Sequence, residues 1–225
     1  MLKYFYAALG TASLLAVAAP VQATTVAYDN GNTSTGDCTP GCTSPTQTVY
    51  SASLFGASPV NVNSVSFYWD IQIPPASPIT FTLSTSKNAV GALSDDFASN
   101  VGDDAQLFYS GVLTPGSGWV TFTGSSPFHY DPTAGDLLVE IDNPGATYDW
   151  DTITSAYNND PRAQRAYTIA GCCSGVDSPG YAFNTRFDVS PAAAPEPASW
   201  ALMLGGFGAI GTAMRRRQRS AISFG

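Results

Sequence analysis

The sequence predicts an all-β domain, a β-sandwich of jelly-roll type, over residues 24–190 of the 225-residue chain. Three observations carry the prediction. Apolar and polar residues alternate with a period of two, which sends the apolar set to one face of a strand. Clusters of Pro, Gly, Asn and Asp separate these runs and start turns. No segment between 24 and 190 shows sustained helical periodicity. About eight to ten short strands with turn signals between them are the pattern of a two-sheet sandwich.

Each element is justified by its residues. Residues 49–55 form the first candidate strand. Val65, Phe67, Trp69, Ile71 and Ile73 then alternate with Ser66, Tyr68, Asp70 and Gln72, giving a half-buried strand with one apolar face. Ile79, Phe81 and Leu83 repeat the pattern, and so do Leu137, Val139 and Ile141. Residues 106–113, 119–123, 128–130 and 165–170 are shorter candidates. Tyr181, Phe183, Phe187 and Val189 around Thr185 make the last strand. Pro74-Pro75, Pro115-Gly116, Asn143-Pro144-Gly145 and Pro179-Gly180 punctuate them. Residues 92–100 have room for one short turn of helix. No period recurs, which argues against a solenoid or propeller. The stretch 119–141, with Pro127-Phe128-His129-Tyr130 and Leu137-Leu138-Val139-Glu140-Ile141, resembles jelly-roll modules of extracellular proteins.

The N-terminus reads as a secretory signal over residues 1–23. Lys3 precedes an apolar core at 7–19, too short for a comfortable membrane span and suited to a signal peptide. Val21-Gln22-Ala23 has the small-x-small character of a cleavage site, so the mature chain is expected to begin at Thr24 after Ala23. The expected partners of this segment are the Sec translocon and signal peptidase.

The C-terminus has three parts. Pro195-Glu196-Pro197 comes first, then an uncharged run over 198–214, then a basic stop of Arg215, Arg216, Arg217 and Arg219. At 1.5 Å per residue that run is about 25 Å long, the short end of what crosses a bilayer as one transmembrane helix. Arginines beside a span stay cytoplasmic, so the passenger lies on the far side of the inner membrane. Residues 191–194 link the passenger to this tail. The Pro-Glu-Pro motif, the Ala198-Ser199-Trp200 start, the Gly205-Gly206-Phe207-Gly208 stretch and the arginines together resemble the PEP-CTERM sorting signal of Gram-negative bacteria. The resemblance covers residues 195–219 and implies recognition by an exosortase, with cleavage near the Pro-Glu-Pro motif. It also implies a membrane-anchored precursor that ends at the cell surface or in the extracellular matrix, in association with exopolysaccharide and biofilm. The same tail also carries the label of an ice-binding protein C-terminal domain, which describes the tail alone. The Thr-x-Thr pairs at 46/48, 80/82, 121/123 and 152/154 are irregularly spaced, as on any polar strand face.

Composition excludes some functions. The net charge is −8, and residues 24–190 hold only four basic residues, Lys87, Arg162, Arg165 and Arg186. Nucleic acid is therefore not an expected partner, because phosphate binding needs clustered Lys and Arg. Cys38, Cys42, Cys172 and Cys173 form an even set that an oxidising compartment converts to disulfides. Adjacent cysteines pair badly with each other, which favours joining the first pair to the second; closure of Cys38 with Cys42 is the alternative. No metal site is expected, since His129 is the one histidine. Asp95-Asp96, Asp103-Asp104 and the 29–37 loop offer oxygen ligands for structural calcium without EF-hand spacing, and no other cofactor is expected.

A catalytic centre is hard to assemble. There is no G-x-S-x-G elbow, and His129 has no evident nucleophile beside it. Asp95-Asp96, Asp103-Asp104 and Asp149-Trp150-Asp151 are the paired carboxylates a glycosidase would need; in the last, on a strand, the two acids share one face and the indole takes the other. Aromatic residues facing outward suit sugar stacking: Tyr68, Trp119 and Trp150 lead, with Tyr109 and Tyr157 behind them, while Trp69 is assigned to the core. The expectation is a non-enzymatic surface or matrix protein that associates with exopolysaccharide. A polysaccharide hydrolase using an Asp pair and a purely structural matrix protein are the alternatives.

Overall fold

The computed structural model describes residues 22–29, 37–40, 43–71, 77–113, 116–144, 152–153, 155–157, 160–169, 173–192, 203–211 and 215. One of two compact units is Val21–Ala192. Among its described residues the strands are β1 (Thr24–Tyr28), β2 (Asp37–Pro40), β3 (Thr43–Tyr50), β4 (Val60–Ile71), β5 (Ser77–Thr85), β6 (Gln106–Leu113) and β7 (Gly116–Tyr130). They continue with β8 (Leu137–Asp142), β9 (Thr152–Ile153), β10 (Ser155–Tyr157), β11 (Ala163–Ile169), β12 (Cys173–Val176), β13 (Tyr181–Phe183) and β14 (Thr185–Pro191). A 3-10 turn at Ala52–Leu54 and one helical turn, α1 (Phe97–Asn100), complete the unit.

Two antiparallel sheets face each other. In the first, β1 pairs β14, β14 pairs β4, and β4 pairs β7 along its other edge. Beyond the end of β14, β4 pairs β9 at Trp69 and Asp70, and β9 pairs β2. The second sheet runs β12-β11-β3-β8-β5-β6, and β10 with β13 makes a separate pair. The all-β sandwich predicted from alternation is thus the fold. Between the sheets lie Tyr50, Phe67, Phe81, Phe108, Phe122, Tyr130, Phe183 and Phe187. Aromatic rings meet across the core, Phe67 with Phe81 at 5.8 Å and Tyr50 with Phe187 at 5.0 Å. Burying each such side chain contributes about 1.5–3 kcal/mol.

Several boundaries differ from the sequence reading, each for a physical reason. The first predicted strand ends at Tyr50 rather than 55, because Ser51 caps the 3-10 turn through its side chain. Residues 119–123 and 128–130 belong to one strand, β7, broken by a register shift opposite Val62 and Ser64. Gly124 sits in that irregularity, where an added Cβ would lie 2.3 Å from the Phe108 ring. The run around Thr185 is two strands, β13 and β14, interrupted at Asn184. Tyr109, read as outward, turns to the core and packs 5.1 Å from Phe122. The register shift between Phe81 and Thr82 leaves an extra residue in β6, so Phe108 and Tyr109 both reach the interior. The side chains of Trp69 and Tyr157 lie outside the described residues.

The second sheet is covered on its outer side too. Val49, Leu93, Leu138 and Ala166 form a second cluster, with Val90, Phe97 and Val101 packed against it. The segment between β5 and β6 supplies most of this cover. Asp136 ties it down, accepting from Val90 N and Ala52 N at 2.9 Å each. Asn100 Nδ2 donates to the buried Gln47 Oε1 at 2.8 Å, and Gln47 Nε2 donates to Glu140 Oε2 at 2.6 Å. Hydrogen bonds to a charged acceptor contribute about 1.5–3 kcal/mol. Asp136→Ala is therefore expected to lower stability by about 1–3 kcal/mol and to speed amide exchange at Val90. Unchanged exchange there would contradict the tie.

Candidate functional site

The residues on the outer face of the first sheet can be read off the pleat. Val65, Phe67, Phe122 and Phe187 point inward and are buried. Their neighbours Ser66, Tyr68, Thr121, Trp119 and Arg186 therefore point outward. Tyr68 lies directly opposite Trp119, and Arg186 opposite Ser66, which is opposite Thr121. Two of the three aromatics proposed from sequence, both half-buried, are thus brought together on one outward face. Trp150 lies outside the described residues.

Contacts organise this surface. The Tyr68 and Trp119 rings meet edge to face at 5.6 Å. The Arg186 guanidinium reaches across Ser66 and lies 3.8 Å from the centre of the Trp119 ring. Arg186 Nη2 donates to Asp29 Oδ2 at 2.8 Å. Ser66 Oγ and Thr121 Oγ1 share a hydrogen bond at 2.8 Å. Gly118, with φ +90°, occupies the left-handed region just before Trp119, a position that favours glycine. A cation over an indole contributes about 0.5–1 kcal/mol at an exposed site. The result is a patch with aromatic edges, hydroxyls and a fixed guanidinium.

Arg186 did not emerge from the sequence as a site residue, and Asp29 did so only within the 29–37 loop, as an oxygen ligand for calcium. Alternation held the clue to Arg186, since it sits between the inward positions Thr185 and Phe187. Asp29 had no such signal, because its role comes from pairing β1 with β14.

The carboxylates have structural partners. Asp104 accepts from Thr85 N at 2.8 Å and from Thr85 Oγ1 at 2.6 Å. Asp103 pairs with Lys87 at 2.7 Å, and that contact holds its carboxyl below the usual range. Asp131 accepts from Thr133, and Asp160 from Arg162, each with its carboxyl likewise held low. Asp95 and Asp96 are exposed, while Asp149 and Asp151 lie outside the described residues. His129 is exposed and meets Asn61 Oδ1 at 3.3 Å. Among the described residues no group of three His, Cys, Asp or Glu is placed to hold a metal ion.

Cys173 is exposed at the start of β12, and Cys38 lies in β2. Ile169 is in register with both Thr43 and Cys173, so the neighbour of Cys42 and the neighbour of Cys172 share one end of the second sheet. Cys42 and Cys172 themselves lie outside the described residues. So do Pro195, Glu196, Pro197, Arg216, Arg217 and Arg219. Within the expected span, residues 203–211 are helical, with Met203, Leu204, Phe207 and Ile210 exposed. Among the described residues no helix is long and apolar enough to cross a membrane.

These features define a class, a protein built on a two-sheet β-sandwich domain. The tail is specific: residues 193–218 match the PEP-CTERM protein-sorting motif. That motif marks the chain for export and for processing by an exosortase, through a membrane-anchored precursor routed to the cell surface. No curated protein and no solved structure matches the chain.

Proposed function

We propose that the passenger, residues 24–190, is a non-enzymatic component of the cell surface or matrix that binds exopolysaccharide through Tyr68 and Trp119. The observation that carries the reading is the convergence of those two rings with Arg186 on the outer face of the first sheet. Outward aromatic rings, onto whose faces sugar C–H groups pack, beside hydroxyl and guanidinium donors are the chemistry that holds a sugar ring. The engagement of Asp103, Asp104, Asp131, Asp136 and Asp160 in pairs and caps supports a structural use of these acids rather than catalysis.

Strand order supports a jelly roll. The chain passes between sheets so that β14 lies between β1 and β4, and β8 lies between β3 and β5. Runs β1-β14-β4-β7 in the first sheet and β3-β8-β5-β6 in the second support a double Greek key, an architecture that, by fold-level analogy, also houses lectin domains. In this account signal peptidase removes residues 1–23 after Sec export, and the cysteine pairs join across the end of the second sheet. Peptide mapping before and after reduction reads that pairing.

Binding is tested by retardation of the exported protein in native gels containing the host's exopolysaccharide. Trp119→Ala is expected to weaken retardation about tenfold or more, the loss typical of a central aromatic anchor. Tyr68→Ala should weaken it less. Equal retardation of wild type and a folded Trp119→Ala protein would overturn the reading.

A further inference from the structure

We infer that the Tyr68–Trp119–Arg186 face selects uncharged polysaccharide over uronate-bearing polymers, with Arg186 as the specificity-determining residue. The inference rests on the glycan-binding reading above and adds the class of glycan.

A guanidinium beside two aromatics would ordinarily suit a carboxylate, which matches its fork bidentately. Here the charge is already matched. Arg186 is bonded to Asp29 at 2.8 Å, and Asp188 stands two residues along on the same outward side of β14. Among the described residues, Asp29 and Asp188 thus set two carboxylates against the one guanidinium of Arg186.

The same balance extends over the passenger. Lys87 pairs with Asp103, Arg162 with Asp160 and Arg165 with Asp177. With Arg186 and Asp29, all four basic side chains of the passenger are matched by an aspartate. The remaining acids make the surface repel polyanions. Binding a uronate here sets one more negative charge against Asp29 and Asp188.

An uncharged sugar meets no such cost. A guanidinium carries five N–H donors, and among the described residues Arg186 spends one hydrogen bond, on Asp29. Its side chain is 42% exposed, which leaves the guanidinium accessible to a ligand. Stacking on Trp119 and pairing with Asp29 fix the plane of the fork before binding. Adjacent sugar hydroxyls fit that fork as acceptors, with the Ser66–Thr121 hydroxyl pair beside it. Specificity is a difference of affinities, and the acids supply the repulsive half.

The test uses the full exported protein in native gels. The host's exopolysaccharide is split by anion exchange into uncharged and acidic fractions, and commercial polygalacturonate serves as a further polyanion. Chelator is present throughout, which removes metal-bridged uronates. Wild type is expected to be retarded by the uncharged fraction and not by polygalacturonate at low ionic strength. Arg186→Lys keeps the charge but loses the planar fork, and should bind the uncharged fraction about tenfold more weakly. Asp29→Asn frees the charge and should gain retardation by polygalacturonate. Stronger retardation by the acidic fraction, weakened by salt, would overturn the selectivity while leaving glycan binding standing. Retardation by neither fraction would overturn both. Arg186→Lys matching wild type on the uncharged fraction would remove Arg186 from the site.

Discussion

Phe67→Ala is expected to lower the unfolding free energy by about 3–5 kcal/mol, the cost of a large-to-small change in a packed core. Phe67 is fully buried on β4 and joins the two sheets. Its ring stacks on Phe81 of β5 at 5.8 Å and meets Phe183 at 6.2 Å and Phe122 at 6.3 Å. Removing it takes one side from each of these contacts and leaves a cavity that β-sheet neighbours on both sides cannot close. Urea unfolding should show a lower midpoint at an unchanged slope. A loss below about 1 kcal/mol would mean that the two sheets do not pack through this ring.

The fold is also expected to be lost at high pH, through its buried tyrosines. Burial pushes the Tyr50, Tyr28 and Tyr130 hydroxyls well above the ordinary tyrosine range, and nearby Asp160 and Asp136 add to the rise at Tyr28 and Tyr130 respectively. Each hydroxyl is also placed: Tyr50 with Thr185 Oγ1 at 2.6 Å, Tyr28 donating to Asp160 O at 3.1 Å and Tyr130 donating to Gly135 O at 2.7 Å. The unfolded chain releases these protons near pH 10, while the folded chain retains them. A raised folded pKa gives stability that is fully present below about pH 10 and falls as pH rises further. Ionisation of these buried tyrosines should therefore coincide with loss of circular dichroism. Tyr50→Phe should make that loss less steep. Smooth titration of every tyrosine with the fold intact would contradict the account.

Much of this architecture was legible because one sheet obeys a simple rule. β4 buries Val65 and Phe67 and turns Ser66 and Tyr68 outward, so its alternation is plain in the sequence. β8 is different: Leu137, Leu138 and Val139 are all buried, since the segment between β5 and β6 covers its outer side. The three adjacent apolar residues were a trace of a strand buried on both faces. β1 was not readable as a strand, because Thr24 to Tyr28 carries little alternation and is held by pairing with β14. Period-two reading also fails at the bulges, which is why Tyr109 was misplaced and β7 was read as two strands. At the candidate site the aromatics were visible one by one. Their meeting was not, since it depends on the register of β4 with β7. Arg186 and Asp29 joined the site only through the pairings of β14 with β4 and with β1.

The central claim is that the chain is an exported passenger delivered by its tail, and intact mass tests it most directly. The protein would be recovered from the membrane and medium of its native host, with and without the exosortase. The account predicts a mature species that begins near Thr24 and ends near Pro195, and that disappears when the enzyme is absent. A species that retains Arg215 to Arg219 in both strains would contradict it, leaving the tail as a plain membrane anchor.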